Sequence, residues 1–274
     1  MLNTEERNPR TLHIDQMTTA QMLSAIQAEN LVAVKAVGDC LPAIGRVVDA
    51  VSARMKEGGR LFYIGCGTSG RLGVLDAAEC PPTYGVAPDR VIGIIAGGDS
   101  ALRRAAEGVE DDGTRGREDF LSFQPNEKDS LIGISAAGGA AYVWEAMQAA
   151  QKIGCFVAAI TANANTAITQ AAQVAIIADT GAEAVTGSTR MKAGSAQKMI
   201  LNMISTAVMI KTGHVYENMM INLRPTNQKL RRRMIRITDT LLACGEAQAE
   251  QWLERGDWDI RTAIALFQNE ESAH

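Results

Sequence analysis

Residues 60–71 read Arg-Leu-Phe-Tyr-Ile-Gly-Cys-Gly-Thr-Ser-Gly-Arg. The apolar run from Leu61 to Ile64 enters a glycine-rich turn without any polar alternation. A short, continuous run bounded in this way reads as a strand buried on both faces. Four more runs share the pattern: Val91 to Ala96 (VIGIIA), Ser130 to Ser135 (SLIGIS), Cys155 to Thr161 (CFVAAIT) and Val174 to Asp179 (VAIIAD). Helical stretches lie between them, such as Tyr142 to Lys152 ahead of Gly154. Strands that alternate with helices need crossover connections and therefore form a parallel sheet. The expected fold class is α/β, a doubly wound parallel five-stranded sheet with a small C-terminal helical bundle. Ligands of such sheets bind beyond the carboxyl ends of the strands, which directs attention to the loops after Ile64, Ala96 and Ser135.

Working outward, Leu41, Ile44, Val48, Val51 and Met55 recur at helical steps and are followed by Gly58-Gly59, an amphipathic helix with a glycine stop. A long helix is expected from about Ser188 to Lys211, capped by Gly213. Beyond about Thr226 the chain turns charged and helical, and Thr238 to Phe267 reads as a small separate bundle. The domain expectation is an N-terminal helical segment (1–58), a sheet domain that includes the long helix (59–225) and a small helical module (226–274).

With 27 Lys+Arg against 31 Asp+Glu, the 274-residue chain carries a formal charge of −4. That balance gives no general pull toward nucleic acid or an anionic membrane. The basic cluster Lys229, Arg231, Arg232, Arg233 and Arg236 lacks interleaved aromatics and reads as a solvated helix face. Five widely spaced cysteines show no CxxC pair and are expected to be reduced thiols of a cytoplasmic protein. Three histidines leave little from which to build a metal site, so no metal is expected. The first ten residues carry two glutamates and no apolar core segment and are not expected to act as a signal peptide. The longest apolar stretch, Met199 to Ile210, is too short and too polar to span a bilayer.

Gly65-Cys66-Gly67-Thr68-Ser69-Gly70-Arg71 follows a strand and opens a helix, so its free backbone N–H groups and the helix dipole make an anion site. The spacing also fits G-x-G-x-x-G. Two hydroxyls in the loop suit a phosphate monoester, and no acid ends the next strand where a ribose would need one. A phosphate site therefore ranks ahead of a bare tight turn and of a dinucleotide site, and both alternatives stay open on these residues alone. Glu79 lies in Asp76-Ala77-Ala78-Glu79-Cys80-Pro81-Pro82-Thr83, where the double proline is expected to end the helix and the neighbours are apolar. Glu107 and Glu110 fall in a stretch, Ala101 to Asp112, expected to be helical, which would put them on one face. A carboxyl pair with one member protonated can remove a proton and assist a leaving group.

The stretches GCGTSGRLGVLDAAECPPTYG (Gly65 to Gly85), AAEGVEDD (Ala105 to Asp112) and GAEAVTGSTRMKAGSAQK (Gly181 to Lys198) resemble the N-acetylmuramic acid 6-phosphate etherase family. That family has the sugar-isomerase (SIS) fold and shares the third stretch with glucokinase regulatory proteins. The resemblance runs from TEERNP near the amino terminus to about Leu230. It implies cleavage of the D-lactyl ether of N-acetylmuramic acid 6-phosphate by lactate elimination and water addition. The products are N-acetylglucosamine 6-phosphate and D-lactate, formed without metal or cofactor during peptidoglycan recycling. It further implies a homodimer, catalytic roles for Glu79 and Glu110, and a phosphate loop of Gly67, Thr68, Ser69, Gly70 and Arg71. Ser135, Gly138, Ser188 and Lys192 complete the expected substrate contacts, with Ser188 capping the long helix and Lys192 reaching toward ligand or partner subunit.

The sequence departs from the family after the third strand. Ala137-Gly138-Gly139-Ala140-Ala141 stands where serine, glycine, arginine, threonine and proline are usual, which removes two hydroxyls and a guanidinium. A rival expectation follows, a non-catalytic phosphosugar-binding regulator of the glucokinase-regulatory kind. An aldose–ketose isomerase of the same fold is the third, and it gives no reason for the ECPPT element. Cys244 to Phe267 is similar to ubiquitin-associated three-helix modules.

Overall fold

The computed structural model describes residues 2–225 and 227–271. Strand β1 (Leu61–Gly65) pairs in parallel with β2 (Val91–Ile95) on one side and β3 (Ser130–Ile134) on the other. β4 (Phe156–Thr161) and β5 (Val174–Ile177) extend the sheet to the order β2-β1-β3-β4-β5. All residues of β1, β3 and β4 are buried, which is why their sequences show no alternation. β2, β1 and β3 run level: Leu61 faces both Val91 and Ser130, and Gly65 faces both Ile95 and Ile134. Their carboxyl ends therefore open at one rim. The order reverses between β1 and β3, and a crevice at that reversal is where open α/β sheets take their ligands.

The chain divides into two compact units, Met1–Ala78 with Asp89–Val208, and Glu79–Pro88 with Met209–His274. In the first, three short 3-10 turns precede α1 (Thr19–Asp39) and α2 (Leu41–Lys56). A reciprocal Thr18–Gln21 box caps α1, and Gly58 follows α2 at positive φ. Helix α3 (Gly67–Tyr84) leaves β1. The short α4 (Ser100–Arg103) and then α5 (Gly113–Leu121) follow β2, and α6 (Ala141–Ile153) follows β3. α7 (Ala167–Gln170) and α8 (Lys192–Lys211) flank β5 in sequence. The core joins Phe62, Ile64, Leu131 and Val157 of the sheet to Phe120 of α5 and to Tyr142, Val143, Ala146 and Met147 of α6. Phe62 and Phe120 meet edge to face at 5.4 Å.

The second unit holds a small hairpin, β6 (Val215–Tyr216) with β7 (Met219–Met220), and three helices, α9 (Gln228–Leu242), α10 (Glu246–Arg255) and α11 (Ile260–Glu271). Their core is Ile221, Leu223, Met234, Leu253, Ile260 and Ala263. On its surface Arg231 lies 4.1 Å over the Trp258 ring and 3.2 Å from Glu250, so one member of the basic cluster is stacked and paired. Among the described residues no helix is long and apolar enough to cross a membrane.

Three local expectations change. α3 does not stop at the double proline but runs through Pro81 and Pro82 to Tyr84. The prolines lie in its last turn, where Pro81 keeps a useful acceptor, receiving the Gly85 N–H at 2.9 Å. The stretch 101–112 is not one helix: Arg104 is extended, Gly108 takes φ +72, and Asp112 starts α5 by accepting the Arg115 N–H. Glu107 and Glu110 therefore do not share a helical face. The long helix begins at Lys192, not at Ser188, which lies in the preceding turn.

Candidate functional site

The loop after β1 closes on itself. Gly67 sits at φ +51, a backbone state that favours glycine, and the Gly70 N–H returns to the Cys66 carbonyl at 3.2 Å. A side chain at Gly70 would collide with the Gly65 carbonyl and stand 2.7 Å from Ile95 Cγ1, so the loop sits flush on the sheet rim. Thr68 is partly exposed, whereas Ser69 is buried and donates its hydroxyl to Gln197 Oε1 of α8 at 3.0 Å. The Arg71 guanidinium reaches neighbouring backbone, donating to the Leu102 carbonyl at 3.1 Å and the Ala101 carbonyl at 2.7 Å. It thus ties the loop's helix to the end of α4.

The loop after β3 faces this one across the reversal of strand order. Ser135 Oγ accepts the Gly138 N–H at 3.0 Å, which folds the turn, and Gly138 sits at φ +81. A Cβ on Gly138 would collide with Thr166 Oγ1 and stand 2.5 Å from Thr166 Cβ. Small residues here are a steric requirement at Gly138, but not at Gly139, where a Cβ would meet open space. The amino-terminal segment braces the same loop from behind. Asn163 Nδ2 donates to the Ala136 carbonyl at 3.0 Å and to Thr4 Oγ1 at 3.1 Å.

Glu110 is exposed, and its backbone carbonyl accepts the Tyr142 N–H at the first turn of α6 at 3.0 Å. Burial pushes the Cys66 thiol in the first loop up to about 12, and the negative charges of Glu110 and Asp111 push it further in that direction. The Glu110 backbone is tied to the first turn of α6, just after the second loop. Beside it a cavity of about 260 Å³ is lined by Gly97, Gly98, Val109, Asp112, Arg115, Asp119 and Tyr142. The Tyr142 hydroxyl donates to Asp119 at 2.6 Å, and burial followed by that bond raises its pKa.

Glu79 belongs to the other unit and is exposed, contrary to the apolar setting its neighbours suggested. The buried acid of that helix is Asp76, whose Oδ1 accepts from Asn202 at 2.8 Å and Ser205 at 3.1 Å. Burial raises its pKa against those hydrogen bonds.

The GSTRMK stretch is also placed differently from expectation. Lys192 does not reach outward: its ammonium is buried on Glu29 Oε2 at 2.5 Å. Ser188 does not cap α8, because the cap is Glu183. The Glu183 carboxylate accepts the backbone N–H groups of Lys192 and Ala193, each at 3.0 Å, from a fully buried position. An anion at a helix start is stabilised by the free N–H groups and the dipole, so this helix start already holds a carboxylate of its own chain. Sequence reasoning missed Glu183, Gln197 and Glu29. The one available signal was their position inside, or opposite, a motif whose charged residues lacked assigned partners.

Comparison with known proteins bears on the fold and the family. Residues 43–151 match the family model of the glucokinase regulatory protein N-terminal SIS domain. Among solved structures, phosphoheptose isomerase from Neisseria gonorrhoeae superposes with a TM-score of 0.54 at 17% identity, covering 70% of this chain and 98% of that one; the likeness is one of fold. The N-acetylmuramic acid 6-phosphate etherase of Aeromonas hydrophila is 48% identical over 96% of this chain and 89% of its own length. That of Caldanaerobacter subterraneus is 46% identical over 97% of this chain and 87% of its own length. The chain belongs to the N-acetylmuramic acid 6-phosphate etherase family.

Proposed function

We propose that the protein cleaves the D-lactyl ether of N-acetylmuramic acid 6-phosphate, giving N-acetylglucosamine 6-phosphate and D-lactate. The observation that supports this reading is the 46–48% identity to N-acetylmuramic acid 6-phosphate etherases over 96–97% of the chain, together with a glycine-rich loop after β1 that opens a helix. Backbone N–H groups of that loop, with Thr68, take the phosphate. In the open-chain aldehyde the proton at carbon 2 is acidified by the adjacent carbonyl. Glu110 removes it, protonated Glu79 assists departure of the lactate oxygen, and water then adds at carbon 3.

A homodimer is part of the reading, as the resemblance to the family implies. A cytoplasmic location goes with a substrate of this kind.

The test is D-lactate release from N-acetylmuramic acid 6-phosphate by the wild type, Glu79→Gln and Glu110→Gln. Release by the wild type and its loss in both variants supports the assignment. Near-normal release by either variant removes that residue from the mechanism. The bare second loop, lacking side-chain donors at Ala137, Gly139 and Ala140, favours one other reading, a phosphosugar-binding regulator. Tight sugar-phosphate binding without any lactate release would establish that instead.

A further inference from the structure

We propose that the C-terminal helical module is a positioning device for the end of α3, and that the contact between Gly85 and Asn222 is where it acts. The inference rests on Glu79 being a catalytic group, as read above. It concerns the compact unit that contains both Glu79–Pro88 and Met209–His274.

α3 ends at Tyr84, and Gly85 closes it at φ +66 with its N–H on the Pro81 carbonyl at 2.9 Å. A helix end of this kind needs glycine for its backbone state. Here it needs glycine for space as well. A Cβ at Gly85 would overlap the Asn222 carbonyl oxygen and stand 3.0 Å from the carbonyl carbon and 3.2 Å from Asn222 Cβ.

The Asn222 backbone cannot readily yield, because its neighbours on both sides are anchored. Ile221 and Leu223 are buried in the core formed with Met234, Leu253 and Ile260. Ile221 and Leu223 turn into the module while Asn222, only partly buried between them, faces Gly85. The module thereby presents a rigid backbone stop to the last turn of α3, six residues beyond Glu79. Two prolines, Pro81 and Pro82, lie between and limit how that turn can bend. A carboxyl that must protonate a leaving oxygen needs its position fixed, since a displacement of about 1 Å can cost about a hundredfold in rate.

The experiment uses the full-length protein with Gly85→Ala, Asn222→Gly and Met234→Ala, the last lying in the module's core and away from the contact. Hydrogen exchange is measured on peptides covering 67–76 and 79–85, beside lactate-release kinetics. The expected result is faster exchange in 79–85 and unchanged exchange in 67–76 for all variants that fold. The kcat should fall at least about tenfold while KM stays within about threefold. Unchanged exchange at 79–85 in Met234→Ala and Asn222→Gly would overturn the proposal. So would exchange rising equally in 67–76, which marks general unfolding. Should the wild type release no lactate, the functional reading fails by itself, and the exchange data still decide whether the module holds the end of α3.

Discussion

The ammonium of Lys192 lies 2.5 Å from Glu29 Oε2, with both side chains out of water. Arg10 completes the group, donating through Nε at 2.5 Å and through Nη2 at 2.9 Å to the two oxygens of the same carboxylate. One buried acid thus binds the amino-terminal segment, α1 and the start of α8. The family motif around Lys192 is in this respect a structural clamp.

Replacing Glu29 by glutamine leaves the Lys192 ammonium buried without its counter-charge, a change that costs about 3–5 kcal/mol. Denaturant titration of Glu29→Gln against wild type at pH 7 measures it.

The same group sets an acid limit. Burial alone would push Glu29 up, but hydrogen bonds from Arg10 and Lys192 more than reverse this and hold it at about 2, below the ordinary 4.5. A carboxylate with a depressed folded pKa stabilises the fold fully above its unfolded value and loses that contribution as pH falls toward the folded one. Wild-type stability is expected to decline between about pH 4.5 and 2, with a shallower decline in Glu29→Gln. Equal slopes in denaturation midpoints across that window would rule the clamp out as the source.

The two hydroxyls of the first loop divide their work. Ser69 is buried and committed to Gln197, so Ser69→Ala leaves a buried amide oxygen unpaired and is expected to lower stability by about 1–3 kcal/mol. Thr68 is partly exposed at the rim, and Thr68→Val is expected to weaken N-acetylglucosamine 6-phosphate binding about tenfold or more, with stability little changed. Calorimetric binding and thermal melts of both variants separate the roles. Equal affinity loss in both would show that the hydroxyls act together on the ligand.

Gly138 has neither the backbone freedom nor the room for a side chain, given its φ of +81 and the Thr166 side chain against it. Gly138→Ala is expected to destabilise by more than about 1 kcal/mol and to abolish sugar-phosphate binding, whereas Gly139→Ala, facing open space, leaves both intact. Thermal melts and binding titrations of the pair provide the comparison.

Ala140 is the N-cap of α6 and supplies no side-chain cap. Ala140→Thr supplies a cap acceptor for the first turn and is expected to stabilise by about 1 kcal/mol, or a few degrees in Tm. An unchanged Tm would mean that the first-turn N–H groups gain nothing from the hydroxyl.

The five strands and their order of appearance were legible because burial on both faces leaves a mark that needs no partner to be seen, as Leu61 to Ile64 and Phe156 to Thr161 show. The glycine loop was legible because φ +51 at Gly67 and the flush seat of Gly70 each demand that residue type locally. The stretch 101–112 departs from the helical expectation because the capping carboxylate of Asp112 and the left-handed Gly108 break it there.

The features legible from residue order are therefore local: a parallel sheet, a helix-opening loop at the end of β1, and the residue types able to move protons. The destination of each charge is set by the fold. Lys192 and Glu29 stand 163 positions apart, and Ser69 and Gln197 128 apart. A charged side chain has no periodicity that says whether it faces water, a ligand or a buried partner. That choice depends on which distant backbone the fold brings opposite it, because the cost of burying a charge is met only where a specific counter-group arrives.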